Sequence, residues 1–183
     1  MNATIAIRPF ESRDDYRGMI RYFHSASDEL LVRMGVDRGR LPAPDVWLQQ
    51  AWADHELDEQ DPTRERFHVA WLLDDELIGH SSINQLRWGE LAYAHLHLWR
   101  RDLRRDGIGT ELFRRSLSLY FERFDLRRIF VEPNAGNPAP NAVVRRLGFR
   151  FVKAHRTVPG PLNFEQDVNL WEMDRGRWGG EEG

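Results

Sequence analysis

The sequence predicts an α/β (α+β) protein with a mixed, largely antiparallel central sheet of about six to seven strands, flanked by about four helices. Residues 66–73, 76–86 and 91–99 read as strands joined by short turns, which is typical of an antiparallel meander. A helical apolar pattern over residues 108–124 is followed by a strand-like segment at 127–132. A strand, a helix and a further strand in this order form a right-handed crossover between parallel neighbours.

The amino-terminal third predicts one strand and two helices. Ile5 and Ile7 alternate with small or polar residues and predict a strand that Pro9 closes. Ser12 is suited to cap a helix, because acidic residues follow it in the first turn. A second helical pattern runs through residues 46–51, after an irregular stretch that contains glycine and proline.

The carboxy-terminal third predicts a helix followed by two strands. Asn137 is suited to cap the helix, since a proline follows it at the first helical position. Gly148 stands where a glycine commonly ends a helix. Residues 149–157 and 167–174 then predict the last two strands, which completes the sheet.

The composition predicts one domain over residues 1–183, with a flexible tail at 175–183. The net charge of −3 argues against general affinity for nucleic acids or membranes. The absence of cysteine removes disulfides, thiolate nucleophiles and cysteine metal sites. No apolar run approaches the roughly 18 residues that a membrane span needs. We therefore expect a cytoplasmic enzyme or binding protein, and whether it forms a homodimer stays open.

The segment between the third meander strand and the following helix is basic and contains two glycines. Because Gly107 and Gly109 have no Cβ, a ligand can approach the backbone closely at this point. The first turn of a helix attracts anions through unpaired N–H groups and the helix dipole, and Arg104 and Arg105 add positive charge. The pattern indicates a phosphate-binding turn, and the alternative is a packed turn with surface arginines.

The residues Arg104-Arg-Asp-Gly-Ile-Gly109 fit R-x-x-G-x-G. This pattern resembles the acetyl-CoA signature of the GNAT N-acetyltransferase superfamily. The dinucleotide fingerprint does not fit, because Leu112 occupies its third glycine position. The predicted element order is also similar to the GNAT fold. The helix from Asn137 to Phe149 resembles the superfamily's "N…GF" helix, in a register near the ribosomal-protein N-terminal acetyltransferases and relatives that act on small amines.

The resemblance implies that acetyl-CoA is the co-substrate and that no metal takes part. It implies that the glycine turn binds the pyrophosphate, that the strand end offers main-chain groups to the pantetheine arm, and that Asn137 contacts the same arm. The alternatives are ordinary sheet at the strand end and a purely capping asparagine. The implied cofactor contacts are His97, Leu98, Trp99, Arg104, Arg105, Asp106, Gly107, Ile108, Gly109, Thr110 and Asn137.

Acetyl transfer requires a neutral amine, so a base or a water chain must first remove a proton, and histidine suits this role. His95 stands at a strand position where some family members place a base, and Tyr93 lies on the same side of the strand. Glu132, at the end of the next strand, is the second candidate. Val144 replaces a tyrosine that many members use as the acid, so either Tyr93 or water would protonate the leaving thiolate, or no acid is needed because a thiolate leaves readily. An ordinary buried histidine is the alternative for His95.

The acceptor pocket is expected between the first two helices and the turn that precedes strand 91–99. Its predicted walls are Tyr22, His24, Trp47, Asn84 and Trp88. The acceptor stays open between a protein or peptide amino terminus and a small-molecule amine. A non-catalytic acyl-CoA-binding or sensing module on the same fold is the alternative function.

Overall fold

Seven strands form one sheet in the computed structural model, which describes residues 4–100, 102–103 and 107–179. The strands are β1 (Ile5–Pro9), β2 (Phe67–Leu73), β3 (Glu76–Arg87), β4 (Leu91–Leu98), β5 (Arg128–Val131), β6 (Arg150–Thr157) and β7 (Gln166–Asp174). Their order in the sheet is β1-β2-β3-β4-β5-β7-β6. All neighbours are antiparallel except β4 and β5, which are parallel. The predicted meander and the crossover are therefore confirmed.

Six α-helices accompany the sheet in the described part of the chain. They are α1 (Arg13–Ser25), α2 (Asp28–Met34), α3 (Pro44–His55), α4 (Ile108–Arg123), α5 (Pro138–Arg146) and α6 (Arg175–Gly179). Ser12 begins α1 as predicted. Its hydroxyl accepts the N–H of Asp15 (3.3 Å), and the Asp15 carboxylate accepts the N–H of Ser12 (3.2 Å). None of these helices is both long and apolar enough to cross a bilayer.

The two faces of the sheet bury two different layers. Along β2, Val69 and Trp71 belong to the apolar core formed with α4, whereas Ala70 and Leu72 belong to the layer under α1 and α3. This division follows from the period of two along a strand, which directs successive side chains to opposite faces. We call the two sides the α4 face and the α1 face.

The parallel strands β4 and β5 pair over three residues each, 91–93 with 128–130. β5 ends at Val131, whereas β4 continues along β3 to Leu98. We call the space between the carboxyl ends of these two strands, beyond the Tyr93–Phe130 pair, the β4–β5 opening. The chain leaves β4 at this end and then starts α4, so the glycine turn lies at the same end of the sheet.

The carboxy-terminal end differs from the predicted flexible tail. Residues 175–179 form α6, and the ring of Trp178 stacks on Phe121 with centroids 6.0 Å apart. The Trp178 indole N–H also donates to the Ser118 hydroxyl (3.3 Å). The aromatic ring gains a buried surface on α4, and this tertiary contact outweighs the polar, glycine-rich character of the segment.

Candidate active site

The loop after β4 enters α4 through Gly107. This residue has a φ of 77°, a left-handed conformation that suits a residue without a Cβ. Its carbonyl accepts the N–H groups of Thr110 (3.0 Å) and Glu111 (3.1 Å). No described side chain caps this helix start. Within the described residues, the N–H groups of Ile108 and Gly109 have no partner, so these groups and the positive end of the helix dipole are available to an anion.

Gly109 lies inside the first turn of α4, and nothing in the described part of the fold requires a glycine there. Its φ is not in the left-handed region, and a Cβ at this position would meet the Leu98 Cδ2 atom at 3.7 Å, an ordinary contact. A glycine inside a helix costs about 1 kcal/mol relative to alanine. Because Gly109 lowers helix stability and the described structure does not need it, the phosphate-binding interpretation is favoured over a packed turn.

Part of the predicted phosphate site lies outside the described residues. Arg104, Arg105 and Asp106 belong to that part, so their contacts stay predictions. Ile108 and Thr110 are described, and both lie in the first turn of α4. They follow the left-handed glycine directly, at the point where the resemblance places the pyrophosphate.

The end of β4 has a definite main-chain direction. The Trp99 N–H donates to the Ile78 carbonyl on β3 (2.9 Å). The His97 carbonyl also faces β3, because a Cβ on Gly79 would lie 2.5 Å from its oxygen. In an antiparallel pair alternate residues bond to the same neighbour, so the peptide groups of Leu98 point to the opposite side, toward the β4–β5 opening. Leu98 is the member of the predicted strand-end trio whose backbone faces that way.

The side chains of His97 and Trp99 belong to an aromatic layer on the α1 face. The Trp99 indole N–H donates to His80 Nδ1 (2.9 Å), and Tyr22 of α1 stacks on Trp99 with centroids 5.8 Å apart. The rings of His80 and His97 stack at 4.8 Å. Burial lowers the pKa of His97 to about 3 and that of His80 well below its usual value. Both rings are therefore neutral, and the layer fixes α1 against β4.

His95 has an unusual polar environment. Its Nε2 atom is buried without a hydrogen-bond partner among the described residues, while its carbonyl accepts the Ser81 hydroxyl (2.7 Å). Burial lowers the pKa of His95 to about 4, and the charge of Arg66 adds to this effect. The ring is neutral at physiological pH and can accept a proton. His95 is therefore not a core histidine whose hydrogen bonds are all made within the described residues. An amine can reach its Nε2 atom only if the groups that cover this atom move.

Tyr93 and Glu132 lie on the same face, across the parallel pair. The rings of Tyr93 and Phe130 stack with centroids 5.3 Å apart. Burial raises the pKa of Tyr93, and the negative charge of Glu132 raises it further. Tyr93 is therefore a proton donor. Two residues beyond the Tyr93–Phe130 pair, the parallel register would place His95 beside Glu132. The pairing stops first, so these two residues border the β4–β5 opening.

The carboxylate of Glu132 has a partner that the sequence analysis missed. Its Oε1 atom lies 3.1 Å from His155 Nε2 on β6. Burial raises the pKa of Glu132, while His155 and Lys153 act in the opposite direction. No motif marks His155. Only the pairing of β6 with β7, and of β7 with β5, brings it to the end of β5.

Asn137 precedes α5 as predicted, but its side chain makes no capping hydrogen bond. The alternative that Asn137 serves only as a helix cap is therefore not supported. Its side-chain amide is not used for capping α5. Val144, at the position where many family members carry a tyrosine, is completely buried in the core. An acid on α5 is absent at that position, which leaves Tyr93 or water as the proton source for a leaving thiolate.

Asn141 fixes the loop that carries Asn137. Its amide nitrogen donates to the carbonyls of Asn134 (3.1 Å) and Asn137 (2.7 Å). Its amide oxygen accepts the side-chain N–H groups of Asn169 (2.9 Å) and Trp171 (3.0 Å) on β7. This buried side chain uses its donors and its acceptor together, so the loop is tied to the sheet.

The predicted acceptor pocket is assembled only in part. Tyr22 and His24 on α1 and Trp47 on α3 belong to the helical layer of the α1 face, and Asn84 lies opposite Tyr93. Trp88 was wrongly grouped with them. Its ring packs against Phe124 (5.4 Å), which belongs to the α4 face. A strand rises about 3.3 Å per residue, so Trp88 lies at the opposite end of β4 from the glycine turn.

Two surface depressions lie elsewhere on the molecule. One, of about 700 Å³, runs between Ile7 and α4, and the other, of about 450 Å³, lies around His55 and Arg64. Neither is lined by the glycine turn or by residues of β4 and β5. The candidate site is therefore defined by the helix start, the strand opening and their polar groups, and not by cavity volume.

A family model described as an acetyltransferase (GNAT) domain matches residues 4–150. The chain belongs to the GNAT acetyltransferase family. Comparison of this GNAT acetyltransferase with curated protein sequences gives no match.

Solved structures show the same fold at low sequence identity. A ribosomal L7/L12 alpha-N-protein acetyltransferase in complex with coenzyme A is 16% identical, with a TM-score of 0.75 and coverage of 95% of this chain and 96% of that one. A ribosomal-protein-S5-alanine acetyltransferase from Vibrio fischeri is 17% identical, with a TM-score of 0.75 and coverage of 95% and 94%. Spermidine N-acetyltransferase from Vibrio cholerae, in complex with CoA and spermine, is 16% identical, with a TM-score of 0.76 and coverage of 95% and 97%.

Proposed function

We propose that this GNAT acetyltransferase moves the acetyl group of acetyl-CoA to a primary amine, which attacks the thioester directly. The observation that carries the proposal is Gly109, a helical glycine that neither backbone strain nor crowding explains. The left-handed Gly107 and the uncapped start of α4 support it. Acetyl-CoA would supply the acetyl group and a thiolate that leaves readily.

The residues that would hold acetyl-CoA follow the chain from β4 into α4. The first-turn N–H groups of α4, with Arg104 and Arg105, would bind the pyrophosphate. The end of β4, at residues 97–99, would offer main-chain groups to the amide-bearing arm as a neighbouring strand would. The side-chain amide of Asn137, which makes no capping hydrogen bond, would contact the same arm from the other side of the β4–β5 opening.

The reaction moves two protons of the acceptor amine, and each of them needs a group that accepts or carries it. An ammonium loses one proton to a base, and the neutral amine forms the new C–N bond as the C–S bond breaks. The second nitrogen proton then neutralises the thiolate, with Tyr93 or water as the carrier. His95 and Glu132 are the two candidate bases, since both border the β4–β5 opening and each has an altered pKa with a stated cause.

The acceptor stays open between two classes, a protein amino terminus and a small-molecule amine. Neighbours of this fold represent both classes, because their names state ribosomal proteins for two of them and spermidine for the third. Consumption of acetyl-CoA over a panel of both kinds of amine, followed by mass spectrometry of the product, decides between them. A cytoplasmic location, a single domain and a homodimer stay predictions.

The cofactor site is tested by two changes at one position. Gly109→Asp should abolish acetyl-CoA binding, because the side chain blocks the backbone and its charge repels the pyrophosphate. Gly109→Ala should stabilise the fold by about 0.5–1 kcal/mol and still weaken binding. Calorimetry and thermal unfolding measure the two effects. Gly179→Asp, at a helical glycine with open space around it, is the matched control. Retained binding in a folded Gly109→Asp variant would contradict the proposal.

One observation favours a second function, a non-catalytic acyl-CoA-binding module. The family tyrosine is replaced by the buried Val144, and the candidate base His95 has its Nε2 atom covered. Both functions predict binding of acetyl-CoA, but only the enzyme releases free thiol when an amine is added. Tight binding without thiol release across the whole amine panel would replace the enzyme with the binding module.

A further inference from the structure

Glu132 and His155 form a partly buried carboxylate–histidine pair at the edge of the candidate site. The two atoms that face each other, Oε1 and Nε2, are 3.1 Å apart, and the side chains are 13% and 28% exposed. Main-chain pairing holds the two residues in register. His155 pairs with Val168 of β7, and Val168 forms an isolated bridge to Asn134, two residues after Glu132. The contact is therefore built into the sheet.

Among the described residues, the ring of His155 makes one polar contact, which is with Glu132. Its Nδ1 atom is buried and has no partner among the described residues. A carboxylate oxygen only accepts hydrogen bonds, so a hydrogen bond across this contact is donated by Nε2. A hydrogen bond donated to a carboxylate stabilises its ionised form and fixes its rotamer.

Few charges compete for the carboxylate of Glu132. Lys153 on β6 lowers the pKa of Glu132 through its charge, and the charge of Glu132 in turn raises the pKa of Tyr93 on β4. Glu172, the nearby acid on β7, is already held by Arg128 (3.5 Å) and by Arg150. Among the described residues, His155 is thus the side chain in ion-pair contact with the carboxylate that borders the β4–β5 opening.

We propose that His155 is a positioning residue that keeps Glu132 ionised and oriented to take the first proton of the acceptor amine. The inference rests on the proposed acetyl transfer. In the proton-transfer step the ammonium N–H bond breaks, the proton moves to the Glu132 carboxylate directly or through one water, and the amine lone pair becomes free to attack. Solvent later removes that proton from the carboxylic acid, which returns the pair to its starting state.

The test compares three variants through the pH dependence of kcat/KM. His155→Phe removes the donor, so the pKa of Glu132 should rise and activity should disappear at a higher pH than in the wild type. His155→Gln keeps an N–H donor and should restore the acid limb. Glu132→Gln should lower the rate by about 10²–10⁴-fold. The KM for acetyl-CoA should change little in all three.

A second readout separates this inference from the proposed function. Carbon-13 NMR of the Glu132 carboxyl, assigned with Glu132→Gln, follows its titration without any turnover. The inference predicts a higher carboxyl pKa in His155→Phe together with a shifted acid limb. An unshifted NMR titration, or a shifted titration with an unchanged acid limb, would overturn the role of His155. Absence of turnover in the wild type over the amine panel would instead reject the proposed function and, with it, the base.

Discussion

The two faces of the sheet bury side chains in different chemical ways. The α4 face holds the larger apolar core, and the buried indole N–H of Trp71 on this face donates to the Ser116 hydroxyl (2.9 Å). The α1 face carries His80, His95 and Asn84 among its aromatics, and its buried His95 Nε2 and Asn84 Oδ1 atoms have no described partner, whereas on the α4 face the Tyr120 hydroxyl is such an atom. The first face is built for stability. The second keeps polar groups inside at a cost in stability, which is the pattern expected beside a reactive site.

The largest effect is expected where the apolar face is broken. Trp71→Ala should lower the free energy of unfolding by about 3–5 kcal/mol, because it removes a large, fully buried side chain and leaves the Ser116 hydroxyl without its donor. Chemical denaturation measures the change. Trp88→Ala is the matched control, since that ring is 42% exposed, and it should cost much less. Equal losses in the two variants would refute the assignment of Trp71 to the fully buried core of the α4 face.

A smaller effect separates a satisfied asparagine from an unsatisfied one. Asn141→Leu should cost about 2–3 kcal/mol, because the Trp171 indole N–H and the Asn169 amide lose their acceptor. Asn84→Leu should cost less or even stabilise the fold, since its amide oxygen has no described partner, while it should lower acetyl transfer. Denaturation and rate measurements on both variants provide the comparison. A larger loss of stability in Asn84→Leu than in Asn141→Leu would contradict it.

The buried histidines of the α1 face predict how stability depends on pH. The unfolded chain protonates His97 near its usual pKa of about 6.5, whereas the folded chain does so only near 3. Between these values the unfolded state binds more protons, so the free energy of unfolding should fall as pH falls. Each such histidine contributes at most about 1.4 kcal/mol per pH unit. Denaturation at pH 6.5 and 5 should show that the free energy of unfolding changes less with pH in His97→Gln than in the wild type. An identical slope would show that His97 titrates with the same pKa in the folded and the unfolded chain.

The order of strands and helices could be predicted from the sequence because each element carries its own local signal. The meander shows alternating side chains, and α1 and α5 begin at Ser12 and Asn137 as expected. The glycine turn was also predictable, since Gly107 and Gly109 stand directly between a strand and a helix. These features depend on residues that are neighbours in the chain.

What the sequence did not reveal depends on residues that are distant in the chain. His155 reaches Glu132 only because β7 inserts between β5 and β6 in the sheet order. Trp88 was placed in the acceptor pocket because it is near β4 in the sequence, yet it stands at the other end of that strand and on the other face. Residues 175–179 of the predicted flexible tail form a helix whose Trp178 contacts Phe121 and Ser118 of α4, and residues 180–183 lie outside the described part of the chain. Contacts of this kind leave no periodic pattern in the amino-acid sequence.

The three-residue pairing of β4 with β5 divides the sheet into two halves that are each continuous in the chain. Strands β1 to β4 all come from residues 5–98, and strands β5 to β7 all come from residues 128–174. The proposed reaction takes place at the seam between them, with His95 on one side and Glu132 on the other. Away from the seam, the Gln166 side chain of β7 donates to the carbonyl of Gly35 at the end of α2 (2.9 Å). The two halves are therefore held together by the short parallel ladder and also by contacts between the end of α2 and the segment that joins β6 to β7.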